Sequence, residues 1–261
     1  MKRLFVLFLS VIMFFSFALA ETKIIAHRGF SGKAPENTLI AFKKAIRVGA
    51  DYFELDVHKT LDDSLVVIHD KNVDCVCSNG ISGTIAEMSF KDTRAVRMGY
   101  PEKFGKKFRQ AGIPTLKEAL YCAKGHIKVC IEIKVQDVEA DVLKAVNDLD
   151  MNNDVIIFSF YYNVLEKIRA LDADIPILYL KSTATEATIQ EAKAIQATAI
   201  GVSRRTEINK DYLKFVHENG LELWRWTVNK ECEMEVYLQI GIDGLITNYP
   251  DKALKIRSKI Q

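Results

Sequence analysis

The chain has almost no surplus of either charge. Its 36 lysines and arginines face 34 aspartates and glutamates. Removing residues 1–20 takes away Lys2 and Arg3 and leaves 34 against 34 (36 − 2 = 34). A chain so balanced has no broad field with which to hold nucleic acid or an anionic membrane. Low-complexity linkers are missing too, so nothing in the 261 residues marks a division into two small domains. Cysteine is sparse and odd in number: Cys75, Cys77, Cys122, Cys130 and Cys232. At most two disulfides form within such a chain, and Cys75-x-Cys77 is too isolated to be a zinc site. The expectation is buried or partly paired structural cysteines.

Lys2-Arg3 precedes an uncharged apolar run, "LFVLFLSVIMFFSFALA", that closes on Ala18-Leu19-Ala20. The run is short for a membrane span. Its charged, apolar, small-residue order is that of a secretory signal peptide cleaved before Glu21. The expected product is residues 21–261, exported to the periplasm or the medium, with no stable membrane insertion. No cysteine follows the run, so a lipid anchor has no attachment residue.

After residue 20, short apolar strands alternate with amphipathic stretches such as "TLIAFKKAIRVGA" and "EADVLKAVNDL". Strands are expected at 23–27, 51–57, 64–69, 127–134, 154–160, 175–180, 197–203, 221–228 and 241–248. Such alternation argues for parallel βα units. Nine strands are one too many for a (β/α)₈ barrel. The second and third, however, are joined by too few residues for a parallel crossover, so they form a hairpin. Setting the returning arm aside leaves eight strands. The expected fold is an α/β TIM (β/α)₈ barrel with a β-hairpin after its second strand. Residues 71–112 form a small insertion over one mouth. A doubly wound open sheet is the alternative.

The hairpin carries the chemistry. A two-residue loop at Asp62-Asp63 would set position 61 against 64 and Asp56 opposite His69, on one face. Glu54 shares that face by the period of two. In "IKVCIEIK", Lys128, Cys130, Glu132 and Lys134 share the inward face, with Glu132 and Lys134 near the C-terminal rim. "KIIAHRG" delivers His27 and Arg28 to the same rim, where such barrels keep catalytic groups. Carboxylates converging from two strands are costly unless a cation joins them. Oxygen ligands of this kind suit a hard divalent ion, Ca²⁺ or Mg²⁺. Arg28 and Lys134 remain to meet an anion, for which phosphate is natural. His27 and His69 then supply a general base and a general acid.

Other residues invite plainer readings. His58 lies beyond Asp56 toward the turn and is read as solvent-facing, as are His126 and His217. Asn37 or Thr38 caps the following helix. Trp224 is read as core, while Trp226 and Phe160, nearer their strand ends, are read as walls of the pocket.

"AHRG", "PENT", "FELDVHKTLDDSLVVIHD", "PTLKEAL", "IEIK", "SF", "WTVN" and "GIDGLITNYPD", in that order from about residue 24 to 251, resemble the motif set of the glycerophosphodiester phosphodiesterases. The resemblance implies a metal-dependent barrel enzyme that cleaves glycerophosphodiesters to glycerol 3-phosphate and an alcohol. It implies that His27 and His69 are the catalytic pair and that Glu54, Asp56 and Glu132 bind the metal. Arg28 and Lys134 would contact phosphate, with a supporting part for Glu36 or Asn37. The segment after His69 corresponds to the family's insertion, although "DCVCSNG" puts cysteines where relatives usually carry polar residues. Lysophospholipase D or sphingomyelinase D-like chemistry would use the same residues. A non-catalytic binder of phosphodiesters would have no need of the two histidines.

Overall fold

The computed structural model describes residues 21–260, so the expected signal peptide lies outside the described residues. Nine strands run in chain order: β1 (Lys23–Ala26), β2 (Tyr52–Lys59), β3 (Leu65–Val67), β4 (Lys128–Ile133), β5 (Val155–Ser159), β6 (Ile177–Lys181), β7 (Ala199–Ser203), β8 (Glu222–Trp226) and β9 (Gly244–Thr247). Eight of them are parallel and close on themselves, with β1 pairing both β2 and β9. β3 is antiparallel to β2 and stands outside the ring. The expected TIM barrel and its hairpin are both present.

Helices return the chain between barrel strands, and their ends carry legible signals. Thr38 accepts from the Ala41 N–H at the start of Leu39–Val48, which ends on Gly49 at φ 81°. Thr115 and Glu118 form a capping box on Leu116–Ala123. The outward side chains of β2 and β4 (Phe53, Leu55, Val57, Val129, Ile131) join these helices in the main core. Inside the barrel, Trp224 packs edge-on against Tyr52 and Phe158 and fills the lower half. Gly244 is required there, because a Cβ would sit 2.3 Å from the Trp224 ring.

The hairpin departs from expectation by one residue. Its register is Val57↔Val67, His58↔Val66 and Lys59↔Leu65, and Thr60 N–H donates to Ser64 O at 3.0 Å. The loop is therefore Leu61-Asp62-Asp63, with Asp63 left-handed at φ 61°. Asp56 stands opposite Ile68, whose N–H reaches the Asp56 carbonyl at 3.0 Å, not opposite His69. The cause is tertiary. Asp62 accepts from Thr60 Oγ1 at 2.6 Å and from Phe90 N–H at 2.9 Å, which ties the tip of the hairpin to the insertion.

Residues 71–112 hold only short helices, Phe90–Ala95 and Pro101–Phe104 among them. They are built on an apolar cluster of their own, which takes in Val66 and Ile68 of the hairpin. Lys103 Nζ donates to Ser31 O at 2.8 Å, linking this segment to the loop after β1. Among the described residues all five cysteines are free thiols, and no helix is long and apolar enough to cross a membrane.

Candidate active site

β1 ends in a turn that only a few residues tolerate. Arg28 and Gly29 are both left-handed, at φ 54° and 75°, and a Cβ on Gly29 would lie 2.7 Å from the Ala41 carbonyl carbon. The turn aims His27 and Arg28 into the C-terminal mouth. It also presents the Arg28 N–H to Glu54 Oε2 at 2.7 Å.

β2 and β4 stand side by side with Glu54 level with Cys130 and Asp56 level with Glu132. Alternation turns Glu54, Asp56 and Glu132 inward, and their ligand atoms lie within 4.8 Å of one another. Two cations border them. Arg28 Nη1 bonds Glu36 Oε1 at 2.8 Å, and its Nε lies 3.4 Å from Asp56 Oδ2. Lys134 Nζ bonds Glu132 Oε1 at 2.7 Å and lies 3.4 Å from Asp56 Oδ1. Asn37 Nδ2 donates to Asp56 Oδ2 at 2.8 Å. The "PENT" motif thus divides its work: Thr38 caps, while Glu36 and Asn37 face the site.

His27, Arg28, Glu54, His69, Glu132 and Lys134 line the polar side of one cavity of about 160 Å³. Its apolar side includes Phe160 and Trp226, whose rings meet edge to face at 5.4 Å. Asp56, 1 % exposed, lies behind this surface among the same carboxylates. All nine residues singled out from the sequence are therefore brought together. Lys128 is not; it is exposed at the opposite end, beside Lys23 and Tyr52. Trp224 is core as expected, and His126 and His217 are exposed. The solvent-facing reading of His58 is overturned. His58 is only 6 % exposed, and its Nε2 lies 3.1 Å from the His69 carbonyl oxygen at the end of the returning arm.

Residues 27–252 match the glycerophosphoryl diester phosphodiesterase family. The chain belongs to that family. It is 33% identical over 245 residues to the glycerophosphodiester phosphodiesterase of Caldanaerobacter subterraneus, covering 92% of this chain and 99% of that one. It is 25% identical over 272 residues to human lysophospholipase D, covering 88% and 84%. Among solved structures it resembles an Oleispira antarctica phosphodiesterase in complex with the product sn-glycerol-3-phosphate, with a TM-score of 0.81, 23% identity and coverage of 91% and 97%. The chain is an enzyme of the phosphodiesterase class.

Two imidazoles in this phosphodiesterase are held by their Nδ1 atoms. His27 Nδ1 lies 2.7 Å from Asn248 Oδ1, and His69 Nδ1 lies 2.7 Å from Asp70 Oδ1. A side-chain oxygen that only accepts fixes the proton on Nδ1 and leaves Nε2 as the free nitrogen. Neither partner was singled out from the sequence. Asp70 had a signal, its adjacency to His69. Asn248 had none beyond its place at the rim end of β9.

The carboxylates sit in an unfavourable electrostatic setting. Glu54 Oε1 and Asp56 Oδ1 are buried without a hydrogen-bond partner, a costly state for acceptors. Burial, then Asp56 and Glu132, push the Glu54 carboxyl well above its usual range. Burial and Asp56 raise Glu132 to about 7 in spite of Lys134. Burial works the same way on Asp56, but Arg28 and Lys134 overcome it and hold that carboxyl at about 2. Burial, then Arg28, lowers His27 to about 3, so its ring is neutral at neutral pH. Three converging carboxyls, two with orphaned oxygens and two hard to ionise, are a donor set that a metal ion would complete.

Proposed function

We propose that this enzyme hydrolyses small glycerophosphodiesters, such as glycerophosphocholine or glycerophosphoethanolamine, to sn-glycerol 3-phosphate and an alcohol. It would act after export, as a single barrel domain freed of residues 1–20. The observation that carries the reading is the cavity itself. Glu54, Glu132 and two cations line it with His27 and His69, Asp56 completes the carboxylate triad just behind them, and Phe160 and Trp226 add an apolar surface. The product bound to the Oleispira relative supports the same substrate class.

Glu54, Asp56 and Glu132 would hold a divalent ion, Ca²⁺ or Mg²⁺. When bound, the ion supplies positive charge that polarises a phosphoryl oxygen. Arg28 and Lys134 bind the diester anion and stabilise the charge that grows on its oxygens. One imidazole takes the proton from the attacking hydroxyl or water through Nε2. As the bond from phosphorus to the alcohol oxygen breaks, the other, entering the step as an imidazolium, donates its Nε2 proton to that oxygen, and exchange with solvent resets both rings. Phe160 and Trp226 receive the apolar surface of the substrate.

The test is release of glycerol 3-phosphate from glycerophosphocholine by chelator-stripped protein, with Ca²⁺ and Mg²⁺ added back separately. Turnover should return with one of them, and His27→Ala and His69→Ala should lower it about 10³-fold while remaining folded. Full activity in either variant would overturn the scheme. A preference for intact lysophosphatidylcholine over the deacylated diester would favour the lysophospholipase D reading instead.

A further inference from the structure

The chemistry proposed above gives His58 no task, yet its position is not neutral. β2 turns Glu54, Asp56 and His58 to one side at successive period-two positions. His58 is the last of the three, at the level of the rim, and it is buried. Its Nε2 lies 3.1 Å from the carbonyl oxygen of His69. That oxygen only accepts, so the ring donates and carries its proton on Nε2.

The carbonyl has few other supports. Pairing of β3 with β2 covers Leu65–Val67, and the last backbone bond of the arm is Ile68 N–H to Asp56 O. The next anchors are Lys71 O, which accepts from Ile85 N–H at 2.8 Å, and Val73 N–H to Gly83 O. Among the described residues, neither His69 nor Asp70 makes a backbone–backbone hydrogen bond. The Asp70 contact orients the ring of His69 but travels with the same stretch of chain. Among the described residues His58 alone ties the backbone of His69 to a barrel strand, the one that carries Glu54 and Asp56.

We infer that His58 is a positioning residue for His69, donating to its carbonyl so that the imidazole is held over the carboxylate triad. The inference rests on the reading of His69 as an acid–base group. Displacement of such a group by about 1 Å costs on the order of 10²-fold in rate, so the tether acts on turnover rather than on substrate affinity.

The test compares His58→Gln, which keeps an N–H donor at similar reach, with His58→Met, which fills the space without one. Steady-state rates on glycerophosphocholine are expressed per folded molecule, with His69→Ala as reference. His58→Gln should keep kcat within about threefold of the parent, and His58→Met should lose about tenfold or more in kcat with KM unchanged. Hydrogen exchange of the segment 68–72 should quicken in His58→Met and not in His58→Gln. Equal kcat in the two variants, or a loss confined to KM, overturns the tether. An active His69→Ala overturns the underlying reading, a separate outcome. If the parent itself does not turn over the diester, unchanged exchange in His58→Met still overturns the inference.

Discussion

Replacing Glu132 with Gln should make the metal-free protein more stable near pH 8 while abolishing its use of a divalent ion. In the folded state Glu132 is raised to about 7 by burial and Asp56, against an ordinary 4.5. At 1.36 kcal/mol per unit, that difference is worth about 3 kcal/mol. The sign follows from proton binding. Between pH 4.5 and 7 the folded parent retains a proton that the unfolded chain has released, so this contribution is full below about pH 4.5 and is lost as pH rises through about 7. Gln has no such proton. The parent's stability minus that of Glu132→Gln should therefore fall by about 3 kcal/mol from pH 4.5 to 8. Easing of the like-charge strain on Glu54 in the variant acts in the same direction. Taking the difference removes His27 and His58, whose lowered pKa values add stability as pH rises toward 6.5. The assay is urea unfolding in chelator at several pH values, repeated with excess Ca²⁺ or Mg²⁺. An ion at a hundred times its Kd should return about 2.7 kcal/mol to the parent and nearly nothing to the variant. A metal-free difference that stays flat or grows with pH would refute the account of the triad.

Gly29→Ala forces a side chain into a left-handed turn against Ala41 and should cost about 2–4 kcal/mol in urea unfolding. Arg28→Lys keeps the charge but loses the fork shared by Glu36 and Asp56; kcat/KM should fall about 10²-fold with little change in stability. Trp226→Ala opens the apolar wall and should raise KM about tenfold more than it lowers kcat, read from steady-state kinetics.

Alternation made much of this site legible before any coordinates. "FELDVH" and "CIEIK" place acids on one face at a period of two, and neighbouring parallel strands then set Asp56 level with Glu132. What failed was decided at a distance. The hairpin register depends on whether its loop has two or three residues, and Asp62 settles that through Phe90, a residue 28 positions away. His58 looked exposed because nothing local announces that the returning arm will lay the His69 carbonyl against it. Asn248 needed the closure of β9 against β1 to bring it to His27. The capping Thr38 was legible, but the turning of Asn37 toward Asp56 depends on a left-handed backbone at φ 54°.

Ring closure leaves β3 with a single hydrogen-bonded neighbour among the described strands. Among the described residues its other edge is held by the Val66–Thr115 bridge alone, with Val67 N–H donating to Pro114 O at 2.9 Å, so this arm can peel away at lower cost than any stave of the ring. Because His69 rides on that arm and the acids do not, gentle warming should switch the enzyme off reversibly while its barrel signal in circular dichroism is still intact. The temperature of half-activity would then report on the arm, and the melting temperature on the ring.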